Sequence, residues 1–426
     1  MRARGAVAVA VAAMIAAAAA ACGSSSGTTH EARSTEQRVA FTQVDAMAGA
    51  GPVDALGLAL MRANGGLDAG NVALSPWSIT TAIAMARVGA KGTTASEIDA
   101  LLHSTDAAAF DQAMNGVDQA LEGRNGSFRN DAGGADLHIE LSSANRAFTQ
   151  DGLQLEAPFL DTLAARYGVG VGLVDYKKAA EKARLEINAF VAKQTHDKIN
   201  ELIPKGKVDA DTRLVLVNAL YLDADWARPF IARLTGDSPF HAPTGDVQVP
   251  MMRSGDERDV AQGDGWRSVE LPYANHQLAM TVIVPDAGRF DEIVSHLDQT
   301  LVDATTLTHR SPLAFALPRF HITKQLSLAA PLAALGMPTA FTAQADFSGI
   351  TTQAPLQIGD IIHQADVQVD EEGTIAAAAT ADVFNTVGRA IGEELVVDRP
   401  FLFLVRDEPT GAILFAGQVT DPSAAG

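Results

Sequence analysis

Few side chains in this 426-residue chain stand at spacings that do chemistry. No serine lies in a G-x-S-x-G turn and none is followed three positions later by lysine, which argues against α/β-hydrolase and S-x-x-K acyl-serine chemistry. There is no H-E-x-x-H and no Cys/His cluster, so no zinc site can be read. Gly168-Val-Gly170-Val-Gly172 has the wrong spacing for a dinucleotide cradle. Asp366, Asp370, Glu371 and Glu372 could gather around calcium, but a solvated acidic turn is the simpler reading. The chain is therefore not read as an enzyme, and neither cofactor nor metal is expected. What stands out is Asp370-Glu371-Glu372-Gly373-Thr374-Ile375-Ala376-Ala377-Ala378-Ala379-Thr380, an acidic turn followed by a glycine and a run of small side chains.

The elements around that run give it meaning. Residues 361–370 read as a strand leading in, and residues 400–406 as an apolar strand leading out. Residues 373–399 between them are too long for an ordinary connection, and loops of that length in compact domains are usually functional or disordered. Disordered tracts favour charged and polar residues, whereas this one carries four alanines flanked by threonines. Such side chains fit where a strand must slide between two others. An alanine-rich linker is the bland alternative.

Upstream, residues 44–64 carry a helical apolar pattern with a start at Gly51-Pro52. Ser75 before Pro76 is a cap and first turn, opening a helix through Ala86. Residues 179–203 read as a helix with Leu185, Phe190, Val191 and Leu202 mostly on one side. Residues 212–222 are nearly all apolar around Asn218, as in a strand covered on both faces. A buried Asn there needs hydrogen-bond partners.

These segments, in this order, closely resemble the serpins, the serine-protease inhibitor family. The hinge matches at Glu371, Gly373, Thr374, Ala376, Ala377, Ala378, Ala379 and Thr380, and departs at Ile375, where glutamate is usual. Asn218-Ala-Leu-Tyr221-Leu-Asp-Ala-Asp-Trp226 is a specific serpin signature. Val269-Glu-Leu271-Pro272-Tyr273, Leu317-Pro318-Arg319-Phe320, Ile361-Ile362-His363 and the closing run Pro400-Phe-Leu-Phe-Leu-Val405 through Gly417 follow in the family's order. The resemblance spans residues 41–422.

It implies an α+β serpin fold: three β-sheets, eight or nine helices and a long exposed reactive-centre loop. It implies that Ser75, Ser78, Asn218, Trp226 and His363 control the opening of the main sheet, with His363 bonding near Asn218 and Trp226 covering the upper opening. It further implies a bait mechanism, in which a protease cuts the loop and the cut loop inserts into the sheet with the acyl-enzyme attached. The family's offset from Gly373 places the cut at Val387-Gly388, which suits an elastase-like pocket. Arg389-Ala390 would suit a trypsin-like one. The partners so implied are serine proteases, with some cysteine proteases in reach, met by a monomer. The hinge composition favours an inhibitor over a non-inhibitory binding or carrier member.

The N-terminus is a targeting segment. Arg2 and Arg4 precede an Ala/Val-rich core, the pattern of a secretory signal, assigned to residues 1–21. Cys22, the only cysteine, follows Ala19-Ala20-Ala21, a run that resembles the bacterial lipoprotein box, although leucine is more usual at Ala19. Cleavage without lipidation and a spanning helix are the alternatives. Residues 22–40 are read as a flexible tether and 41–426 as one domain, exported and held at the cell envelope or secreted. The formal net charge of −19 argues against nucleic acid and anionic membrane surfaces as partners, leaving a lipid anchor as the one expected membrane contact. With one cysteine no internal disulfide can form, so the fold must stand on its core.

Overall fold

A computed structural model describes residues 30–130, 135–374 and 393–424. Numbered along the chain, the main sheet contains β1 (His30–Ala32), β3 (Gly126–Phe128), β4 (Leu137–Gln150), β5 (Val171–Val174), β6 (Leu214–Asp225), β12 (Phe320–Ser327), β13 (Ile362–Val369) and β14 (Gly373–Thr374). The second network contains β2 (Val72–Leu74), β7 (Gly236–Ala242), β8 (Gly245–Gly263), β9 (Trp266–Pro272), β10 (Leu278–Pro285), β11 (His309–Pro318), β15 (Glu393–Val396), β16 (Phe401–Asp407) and β17 (Ile413–Val419). Nine α-helices occur among the described residues: α1 (Gln43–Asn64), α2 (Pro76–Gly89), α3 (Gly92–Leu101), α4 (Ala107–Glu122), α5 (Ala157–Tyr167), α6 (Tyr176–Gln194), α7 (Phe290–Ser295), α8 (Gln299–Thr306) and α9 (Ala329–Leu335). This is the α+β architecture expected. Two of the three expected sheets are joined by hydrogen bonds, because β8 pairs with β7 and β11 and then passes to β9 at its end.

The main sheet runs β1-β5-β4-β6-β14-β13-β12. Leu220, Leu222 and Ala224 of β6 face the large core, while Val217 and Ala219 face a smaller cluster with Ile187 and Val191 of α6. Cover on both faces explains the unbroken apolar run of β6. In β13 only alternate residues are fully buried, and the others are partly covered.

Two expectations need correction. Helix α1 does not start at Gly51-Pro52. It starts after Thr42, whose side chain and that of Asp45 cap each other's backbone amides, and it runs through Pro52. The missing proline amide leaves the carbonyl of Ala48 free, and Ala48 is solvent-exposed, so water can satisfy it. Residues 30–40 are not part of a free tether. β1 pairs with the edge strand β5. Arg33 donates to the carbonyl of Gly168 at 2.7 Å, and Ser34 to Asp161 at 2.5 Å. Arg38 grips Asn115, Asp118 and Glu122 of α4. Bare sheet edges tend to pair with other chains, and this segment covers one. Residues 1–29, with the signal segment and Cys22, lie outside the described residues.

Candidate functional site

The site is the seam between β6 and β13. These two strands touch directly, in parallel, at His363–Asn218 and Gln364–Ala219. Above that point β14 lies between them: Thr374 pairs with Ala224 on one side and Val369 on the other, and Gly373 pairs with Asp225. The first two hinge residues are thus already threaded into the sheet. A side chain at 373 would place its Cβ 2.1 Å from the carbonyl oxygen of Ala224, so only glycine fits there.

The turn before β14 is clasped from three directions. Glu371 accepts a two-pronged ion pair from Arg319, at 2.7 and 2.6 Å, and a hydrogen bond from the Thr235 hydroxyl. Burial would raise its carboxyl, but these bonds more than offset it and the carboxyl is held low. The Trp226 indole donates to the carbonyl of Asp370 at 3.0 Å, and its backbone amide donates to that of Glu372 at 2.8 Å. Trp226 is buried and stacks on Tyr273, with ring centroids 4.5 Å apart and planes at 17°. The Tyr273 and Thr374 hydroxyls lie 2.7 Å apart, both buried. Burial pushes the Tyr273 hydroxyl above its usual range, so it keeps its proton.

In the middle of the seam the sequence-derived residues assemble around the start of α2. Ser75 caps that helix, its hydroxyl accepting from the Ser78 amide at 3.2 Å. The Ser75 amide donates to His363 Nε2 at 3.0 Å. Burial pulls the His363 imidazole down to about 3, so it is neutral. Asn218 donates to Asn145, directly across on β4. His363 is Asn218's backbone neighbour, but no side-chain bond joins them. Instead Asn218 Oδ1, His363 Nδ1 and Ser78 Oγ are buried without a partner.

The five residues expected to control sheet opening all fall on this seam, with Trp226 at its top and the other four at its middle. Glu371, Gly373 and Thr374 join them. Ala376 to Ala379, Thr380, Val387, Gly388, Arg389 and Ala390 lie outside the described residues. Sequence reasoning missed the roles of Tyr273, Arg319, Thr235 and Asn145. Tyr273 and Arg319 sat inside family-like segments, but nothing in the spacing tied them to the hinge.

A family model described as "Serpin (serine protease inhibitor)" matches residues 53–422. The chain belongs to the serpin family. It is 33% identical over 365 residues to a leukocyte elastase inhibitor of Sus scrofa, covering 83% of this chain and 94% of that protein. It is 34% identical over 367 residues to plasminogen activator inhibitor 1 of Mus musculus, covering 83% and 87%. Human thyroxine-binding globulin, solved in complex with thyroxine, superposes with a TM-score of 0.77 at 26% identity, over 90% of this chain and 100% of that one. Serpins are inhibitors rather than enzymes, and these relatives include proteins named as protease inhibitors.

Proposed function

We propose that this serpin inhibits extracellular serine proteases by offering residues 375–392 as bait. The protease nucleophile attacks a carbonyl in that segment, the peptide bond breaks, the downstream piece leaves as an amine, and the upstream piece stays bound as an acyl ester. The upstream piece then continues the strand that β14 begins.

The observation that carries this reading is the register. Thr374 is level with Ala224 and Val369. Continuing the same antiparallel pairing six residues further sets Thr380 level with Asn218 and His363, the buried pair whose Oδ1 and Nδ1 are unpartnered. Alternate residues share a face, so Thr380 would present its hydroxyl on Thr374's side of the sheet, where those atoms lie. Ala376 would come level with Leu222 and Val367, and Ala378 with Leu220 and Ala365, all buried. Only small side chains suit those places. A buried polar atom left unpaired costs about 1–3 kcal/mol, so insertion would relieve a deficit that the uncut form carries.

For the bond cut, Val387-Gly388 is preferred, since several of the matched relatives are named elastase inhibitors; Arg389-Ala390 is the alternative. The carrier reading finds little support. Its support among these comparisons is the likeness to thyroxine-binding globulin at 26% identity. We further propose that the chain is exported and that Cys22 carries a lipid anchor. Cys22→Ala should release the protein, and mass spectrometry of the N-terminus checks it.

The deciding experiment incubates the protein with elastase-like and trypsin-like serine proteases and runs denaturing gels. A covalent complex is expected, and the mass of the released C-terminal fragment locates the cut. Cleavage by both classes with no complex and full protease activity would overturn the inhibitor reading.

A further inference from the structure

We propose that Tyr273 is a positioning residue: its hydroxyl holds Thr374 inside the main sheet before the loop is cut, so that insertion starts from a strand already threaded at its first side chain. This rests on the inhibitor reading above. Tyr273 follows β9 and belongs to the second network, whereas Thr374 belongs to the main sheet. Their hydroxyls meet at 2.7 Å in a buried place. The Trp226 indole stacks on the Tyr273 ring and packs it in place, and the backbones of the two residues form a β-bridge. Trp226 in turn bonds the backbone of Asp370 and Glu372. Tyr273 thus touches the hinge directly through its hydroxyl and indirectly through the Trp226 indole stacked on its ring.

The position of the contact gives it a kinetic role. Below Thr374 the two flanking strands meet directly only at Asn218–His363 and Ala219–Gln364. A hinge that stays in place at Thr374 keeps β6 and β13 parted at the top. Residues 375–378 then add to an existing end before the β6–β13 pairs at Ala219–Gln364 and Asn218–His363 have to part, and, as in helix growth, extension is faster than nucleation. If Thr374 slips out between acylation and insertion, the ester has time to hydrolyse and the inhibitor is spent as substrate.

Tyr273→Phe keeps the ring and its stacking and removes the hydroxyl. We expect the initial rate of loop cleavage to match wild type, while the number of inhibitor molecules lost as substrate for each one that traps a protease rises about fivefold, in line with the loss of one buried hydrogen bond. Thr374→Val removes the other hydroxyl at constant shape and should give the same rise. The double variant should be no worse than either single one, since both remove the same bond. Thr374→Ser should behave as wild type. A merely structural tyrosine would lower the Tm and leave the consumption ratio unchanged. That result in both Tyr273→Phe and Thr374→Val overturns the proposal, as do additive effects in the double variant. If wild type traps no protease at all, the inhibitor reading has failed. Amide hydrogen exchange at Thr374 still reads the latch in that case: faster exchange in Tyr273→Phe supports it, and unchanged exchange overturns it.

Discussion

The top and the middle of the seam between β6 and β13 are a few residues apart and are built in opposite ways. At the top, where Gly373 and Thr374 already sit between the strands, the hinge groups are matched: Glu371 by Arg319 and Thr235, the Trp226 indole by Asp370, Thr374 by Tyr273. In the middle, where the strands still touch each other, Asn218 Oδ1, His363 Nδ1 and Ser78 Oγ are buried without a protein partner, three of the nine side-chain atoms so placed among the described residues. Native cores leave few such groups. The resting molecule is thus well satisfied where the loop is engaged and under-satisfied where, in our reading, the loop has yet to arrive. The difference supplies a direction, because each residue added moves the strand toward the place that lacks partners.

The comparison can be erased by completing the strand. Cutting the loop should convert the middle into something like the top. Ten or so new ladder hydrogen bonds at ~0.5–1.5 kcal/mol each suggest a gain on the order of 10 kcal/mol. At ~2 °C per kcal/mol this is a rise in Tm of roughly 20 °C, readable by calorimetry before and after limited proteolysis. An unchanged Tm would mean that the middle is not a vacant place for a strand.

The comparison can also be broken from above. Because Thr374 is already buried, Thr374→Arg should damage the uncut protein as well as the insertion step. An unpaired buried charge costs several kcal/mol, so we expect the Tm to fall by several degrees. The variant should be cut at the wild-type bond but release active protease. Inhibition equal to wild type would refute threading at 374.

The smallest effect sharpens the comparison through pH. The folded form holds the His363 imidazole at about 3 because burial penalises its charge, while an unfolded histidine titrates near ~6.5. The unfolded chain therefore binds the extra proton first. The His363 contribution is complete above pH ~6.5 and is lost steadily as pH falls toward 3. Burial raises Asp54 and Glu270 to about 7, and these act in the opposite sense, favouring the fold at low pH and losing that contribution as pH rises to 7. Comparing wild type with His363→Gln cancels them. The stability difference should shift against wild type by about 2 kcal/mol between pH 6.5 and 5, measured by urea unfolding. A flat difference would mean that His363 is not held neutral in the seam.

Much of this architecture was legible in the residues. The apolar run around Asn218 gave a covered strand, seen as Leu214–Asp225, and residues 361–370 gave Ile362–Val369. Ser75-Pro76 gave the helix start, since both act within one turn. Helix α6 ends at Gln194, short of 203, because Thr195 turns its hydroxyl to the Ile199 amide and His196 and Asp197 take positive φ; apolar spacing alone does not register that turn. Residues 30–40 looked like a tether because their attachment uses backbone pairing and arginines, which leave no hydrophobic period. Gly373 and Thr374 were readable as a hinge, but their place inside the uncut sheet was not. That depends on Tyr273, which is 101 residues away in sequence.

The strand at the very start of the described chain sets a limit of another kind. β1 enters beside Leu173 on β5, level with the end of β4, while Gly373 and Thr374 sit near the β4 start, across from Ile139. Ten residues of β4 separate those levels, ~33 Å at the usual rise. The bait and the leash therefore attach at opposite poles. On a chain anchored through Cys22, the Gly373–Thr374 end of the seam would lie at the pole away from the anchor. Full insertion would then carry the captured enzyme down to the pole that faces the membrane. From Cys22 to His30 the chain can span at most ~28 Å, whereas a protease of ordinary domain size is roughly 40 Å across. The leash is shorter than the catch is wide, so each capture by an anchored molecule must tip the domain over on its attachment.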